Sequence, residues 1–138
     1  MSITSLNPYL NFNGNAEQAL KFYERVLDAR SEQIMRFDQA PGMALSEKDK
    51  RRIMHCQLRI GAAVLMLSDT MPGQPAPRET TMHVVLHFSD VADLNARFDA
   101  LAEGGTVSYP VHDAFFGAKF GMLVDQFGVP WMLICEQR

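Results

Sequence analysis

The chain says nearly the same thing twice. The stretch Phe12-Asn13-Gly14-Asn15-Ala16-Glu17-Gln18-Ala19-Leu20-Lys21-Phe22 recurs 76 positions later as Phe88-Ser89-Asp90-Val91-Ala92-Asp93-Leu94-Asn95-Ala96-Arg97-Phe98. Phe12/Phe88, Ala16/Ala92 and Phe22/Phe98 are identical, and Glu17/Asp93 and Lys21/Arg97 keep their charge. Each copy leads to a strand-Gly-strand unit, Met54 to Leu67 around Gly61 and Gly121 to Ile134 around Gly128. So long a period in 138 residues leaves room for two copies, which predicts paired modules and not a solenoid. Two modules that share a sheet enclose a cleft, and function is expected there.

Periodicity assigns the elements. Leu6 to Phe12 alternates apolar and polar residues and predicts a half-buried strand. Asn13-Gly14-Asn15 turns the chain, with Asn15 as N-cap of a helix from Ala16 to about Leu27 whose Ala16, Ala19, Leu20, Tyr23 and Leu27 form one stripe. A strand over 29–37 follows, then a polar loop over 38–51 containing Pro41-Gly42 and mixed charges, which suits a solvated segment and not a phosphate site. Ile53 to Ile60 alternates, turns at Gly61 and returns over 62–67. Residues 69–81, with Pro72, Gly73, Pro75 and Pro77, read as a linker. The second module repeats the order: strand 82–88, helix from about Val91 to Ala102, a Gly104-Gly105 stop, strand 106–109, the aromatic loop Phe115 to Gly121 and a closing hairpin. The expected organisation is one domain, 1–138, with modules 1–68 and 82–138.

The net charge of −3 gives no electrostatic footprint for nucleic acid or an anionic membrane. No apolar run approaches the roughly 20 residues that span a bilayer. Cys56 and Cys135 have no metal-finger spacing and read as free thiols. With no secretory leader pattern visible, the expectation is a cytoplasmic protein with neither nucleic-acid nor membrane partners.

The βαβββ duplication resembles the vicinal-oxygen-chelate superfamily of glyoxalases, extradiol dioxygenases and bleomycin or fosfomycin resistance proteins. Pro8-Tyr9-Leu10, the Phe12–Asn15 turn, Phe22-Tyr23, Leu67-Ser68-Asp69 and the tail Asp125 to Met132 are similar to its PhnB-like branch. That resemblance implies an α+β fold: two βαβββ modules forming a curved mixed sheet cleft with helices outside, in a homodimer. Proteins of this branch have carried a ubiquinone-methyltransferase label, but the chain lacks the Gly-rich strand-turn-helix loop of a Rossmann-type enzyme. Metal-using members draw four ligands from the first and last strands of each module. The corresponding positions are Asn7, Met66, His83 and Met132.

Those four make a poor chelate. Ni, Fe or Mn favour carboxylates and imidazoles, and thioethers are weak ligands for them. His83 and His87 lie about 13 Å apart along a strand and cannot converge on one ion. The reading is therefore that no metal or other cofactor is required, with His83 a weak candidate ligand. The cleft is expected to be lined by Asn7, Tyr9, Met66, His83, Val85, Phe115, Phe116, Trp131 and Met132. An apolar, aromatic lining with few polar groups suits a small-molecule site. His83, then His55, are the groups able to exchange protons, and Arg59 is suited to an anionic group. The function expected is metal-independent binding of an unidentified small molecule. A metal-dependent lyase, isomerase or dioxygenase and a ligand-free structural dimer are the alternatives.

Overall fold

Alternation and helical spacing resolve into the same order of elements in each half of the chain. The computed structural model describes residues 2–39, 42, 44–76 and 80–136 and falls into two units, 1–77 and 78–138. The first holds β1 (Tyr9–Phe12), α1 (Ala16–Leu27), β2 (Arg30–Arg36), a 3-10 turn (Phe37–Gln39), α2 (Glu47–Lys50), β3 (Ile53–Ile60) and β4 (Ala63–Asp69). The second holds β5 (Val84–Phe88), α3 (Val91–Ala102), β6 (Thr106–Ala114), β7 (Ala118–Val124) and β8 (Pro130–Glu136). Each unit has one four-stranded mixed sheet, ordered β1-β4-β3-β2 and β5-β8-β7-β6. The outer pairs β1/β4 and β5/β8 are parallel, and the other neighbours are antiparallel. This is the glyoxalase-like α+β fold.

One face of each sheet carries the core. In the first unit Ile53, Cys56, Leu58, Leu65 and Leu67 are buried, as are Ala16, Ala19, Leu20, Tyr23 and Val26 of α1. In the second, Leu123, Trp131, Leu133 and Cys135 are buried, with Leu94, Phe98 and Leu101 of α3. Truncating one of the fully buried leucines to alanine costs about 2–5 kcal/mol, the lost transfer energy plus a cavity. Gly121 of β7 admits the helix closely: a Cβ there would meet Phe98 Cε2 at 2.7 Å.

Local chemistry explains where the observed elements differ from the expected ones. Pro8 has no N–H to give a ladder, and β1 begins only at Tyr9. The helix N-terminus at Asn15 is where the spacing puts it, but the Asn15 side chain makes no cap. Asp69 does that work from the end of β4, accepting hydrogen bonds from Gly14 N at 2.7 Å and Ala16 N at 3.0 Å on one oxygen and from Ile53 N at 2.9 Å on the other. Ser68 and Asp69 are accordingly buried strand residues, and Asp69 is not part of an open linker. By contrast, α3 is capped by its own Asp90, which accepts from Asp93 N at 3.0 Å. The loop over 38–51 contains α2, a single turn capped by Ser46 Oγ. β6 runs to Ala114, so the aromatic loop contracts to a tight turn at 115–117. Pro110 is tolerated within β6 because that strand is an edge. Pro41 and Pro77, read as loop and linker residues, lie outside the described residues. Among the described residues no helix is long and apolar enough to cross a membrane.

Candidate functional site

A sheet with one face against its helix leaves the opposite face to chemistry, and residues in register across neighbouring strands share that face. In the first unit Tyr9, Met66 and Gln57 form one such row. His55, two residues from Gln57, points the same way, and the Tyr9 hydroxyl reaches across β4 to lie 3.2 Å from its Nδ1. The two rings are 5.9 Å apart at 36°. Asn7 is held beside this row by its amide, which donates to the Val64 carbonyl at 2.9 Å. Arg59 is engaged by Glu32 through two contacts, Nε to Oε1 at 3.0 Å and Nη2 to Oε2 at 3.3 Å. The hydrogen bonds from Arg59 hold the Glu32 carboxyl below its usual range. This face is thus polar, with its main charges paired.

The second unit presents a different surface. Val85, Met132, Met122 and Tyr109 form one row across β5, β8, β7 and β6. His87, Ile134, Phe120 and His112 form the next. Val85 and Tyr109 are exposed, and Met122 and Met132 are half-buried. Phe115 and Phe116 stand on the 115–117 turn, also exposed, and with Tyr109, His112, Asp113, Ala114 and Phe120 they line a cavity of about 370 Å³. This surface is apolar and aromatic, with imidazoles at its margins.

The expected site residues fall on two sheets. Asn7, Tyr9 and Met66 lie together on the first sheet, while Val85 and Met132 lie together on the second, with Phe115 and Phe116 at the β6–β7 turn. His83 precedes β5 and is exposed. Trp131 is a correction. It is fully buried on the helix side of β8, and its indole N–H donates to Asp125 Oδ2 at 2.9 Å. Trp131 and Met132 are neighbours on a strand and point to opposite faces, so they cannot line one surface. The sequence reading also missed Met122, Phe120, Tyr109 and His112 as members of the open face. Their alternation along β6 and β7 was the available signal, but bulges interrupt the register between Val107 and His112.

A second cavity, about 530 Å³, lies at the start of α1 and is lined by Glu17, Lys21, Arg51, Arg52 and Asp69 among others. Some of its charges are paired, while Arg52 Nε is buried without a hydrogen-bond partner among the described residues. Glu17 binds Arg36 at 2.8 Å and Lys21 at 3.3 Å, and the Arg36 hydrogen bond leads the causes that lower its carboxyl from the ordinary value. Arg52 donates to the Thr70 carbonyl at 2.7 Å. The arrangement braces the turn before α1.

The residues present do not fit a divalent metal. Asn7 offers only a neutral amide oxygen, Met66 and Met132 offer thioethers, and divalent Ni, Fe and Mn prefer carboxylate and imidazole donors. Among the described residues no three of His, Cys, Asp and Glu converge on a point. Cys56 and Cys135 are both buried and free, and burial pushes the Cys56 thiol up to about 11. A thiol so raised is a poor nucleophile or ligand at neutral pH.

The sequence model of the Glyoxalase/Bleomycin resistance protein/Dioxygenase superfamily matches residues 5–133. Protein YjdN of Escherichia coli (strain K12) is 31% identical over 137 residues, covering 93% of this chain and 92% of that protein. The crystal structure of protein PA1353 from Pseudomonas aeruginosa aligns with a TM-score of 0.87 at 37% identity, over 99% of this chain and 100% of that one. The PhnB protein of Bacillus cereus shares the fold, with a TM-score of 0.80 at 23% identity over 96% and 99% of the two chains.

Proposed function

The chain belongs to the Glyoxalase/Bleomycin resistance protein/Dioxygenase superfamily, and from that premise we propose that it is a metal-independent small-molecule binding protein. The observation that carries this reading is the open face of the second sheet, where Val85, Met132, Met122 and Tyr109 lie in one row and Phe120 in the next. Ordered apolar and aromatic side chains beside a few polar groups are the usual composition of a ligand site. Thioethers and rings adapt to an apolar ligand and offer no hold on a hard cation.

On the first sheet, the Tyr9–His55 pair supplies a hydroxyl and an imidazole beside Met66, a second place for polar recognition. The proposal includes a cytoplasmic homodimer of the PhnB-like branch. The branch assignment rests on Pro8-Tyr9-Leu10 and the tail Asp125 to Met132. Light scattering of the eluted protein should then give twice the 15.5 kDa chain mass.

The test of binding is a panel of aromatic and amphipathic compounds screened against EDTA-treated protein with methyl-labelled methionine. Saturable shifts of the Met122 and Met132 methyl signals are expected. Binding that appears only after a divalent ion is added, or a panel with no saturable ligand, refutes the reading.

A further inference from the structure

Resting on the small-molecule reading above, we propose that the ring cluster at the β6–β7 turn binds a planar aromatic molecule carrying a hydroxyl donor, recognised by Nε2 of His112. Five rings connect in sequence there. Tyr109 and His112 are 6.5 Å apart, and His112 and Phe120 are 5.9 Å apart at 88°. Phe120 meets Phe116 at 6.1 Å and 73°, and Phe116 meets Phe115 at 5.4 Å and 85°. Rings packed edge to face leave other faces uncovered, and Phe115, Phe116 and Tyr109 are all exposed. The turn that carries them is fixed by the bond from Gly117 N to the Ala114 carbonyl at 3.0 Å, so part of the ordering cost of binding is already met. The cavity of about 370 Å³ suits a ligand of two fused rings.

His112 supplies the polar specificity. Its Nδ1 lies 2.7 Å from the Pro110 carbonyl, which can only accept, so the proton resides on Nδ1. The neutral ring then presents Nε2 as an acceptor, and Nε2 has no hydrogen-bond partner among the described residues. Its complement is a donor on the ligand. A cationic ligand is disfavoured, because the Asp113 carboxylate in the same cavity is engaged by Lys119 at 2.9 Å.

The test titrates the full chain with 2-naphthol and with 2-methoxynaphthalene, which keeps the rings and lacks the donor. The hydroxyl should bind about tenfold tighter, the effect of one net hydrogen bond. His112→Phe keeps an aromatic ring against Phe120 and should erase that preference while retaining 2-methoxynaphthalene. His112→Gln restores an acceptor oxygen and should recover part of it. Phe116→Ala should weaken both ligands. Equal affinities in the unaltered protein overturn the role of His112 and leave the small-molecule reading standing. If neither naphthalene binds while another compound of the wider panel saturates Met122 and Met132, this inference alone falls. If nothing in that panel binds, both fall.

Discussion

Asp69 ties the turn before α1 to the start of β3 in the first unit. It is 4% exposed and accepts three backbone N–H groups, two from the turn before α1 and one from the start of β3. Asp69→Ala removes all three acceptors at once. The Gly14 amide is part-buried and water can replace its partner, whereas Ala16 and Ile53 donate through buried bonds. Leaving a buried donor unpaired costs about 1–3 kcal/mol, and bonds to a charged acceptor stand at the upper end. Two such losses, offset in part by no longer burying a carboxylate, come to about 3 kcal/mol. Asp69→Asn keeps one oxygen for Gly14 and Ala16 but turns an NH2 toward the Ile53 N–H, at a cost of about half that. Urea unfolding followed by circular dichroism should order the proteins as parent, Asn, Ala. With a slope of about 1.5 kcal/mol per molar, the alanine midpoint falls by about 2 M. Hydrogen exchange at Ala16 and Ile53 should lose protection together. A change below about 0.5 kcal/mol, or unchanged protection at both amides, refutes the reasoning, since it sits inside the range of ordinary surface substitutions.

In the second unit, Asp125 accepts from Phe127 N, Val129 N and Trp131 Nε1. Asp125→Ala should destabilise by about 2–4 kcal/mol and move the Trp131 indole proton signal upfield, readable without overlap because Trp131 is the one tryptophan of the chain. Gly105→Ala should cost at least about 2 kcal/mol, because the added Cβ would meet the Val124 carbonyl and the Asp125 backbone, and backbone cannot step aside as a side-chain tip can. A melting point within one degree of the parent would contradict that packing. Folding holds the Cys56 thiol raised from its ordinary 9.0 to about 11, so the folded state keeps a proton that the unfolded chain releases. The linked stability is present below pH 9.0 and lost as pH rises toward about 11, and iodoacetamide should label Cys56 at pH 8 only on unfolding.

Much of the architecture was legible because periodicities of two and 3.6 are written directly into the chain. The repeat located both helices and the first and last strands of each module; that those strands pair in parallel, with Met66 opposite Tyr9 and Met132 opposite Val85, comes from the sheet register. What was not legible depends on strand order. The Tyr9–His55 contact spans β4 and joins residues 46 apart, which no local pattern encodes. Asp69 looked like the start of a linker because an acidic residue before Thr70 and Pro72 is ordinary there. Only the closure of the α1 turn onto the end of β4 makes it a buried cap. Trp131 was misplaced by composition outweighing geometry: a large aromatic beside Met132 was assigned to the same cleft lining, although strand parity puts the two on opposite faces.

The most direct test of the central claim is the melting of EDTA-treated protein against Mn, Fe, Ni, Co and Zn, with and without the tightest-binding aromatic compound of the panel. An ion bound only by the folded state at a hundred times its Kd adds about 2.7 kcal/mol, a shift well above noise. Metal-independent binding predicts an unchanged midpoint with every ion and a rise with the aromatic ligand that EDTA does not diminish. A midpoint raised by one or two ions and returned to baseline by His83→Ala contradicts it, and shows that the first and last strands hold a metal after all.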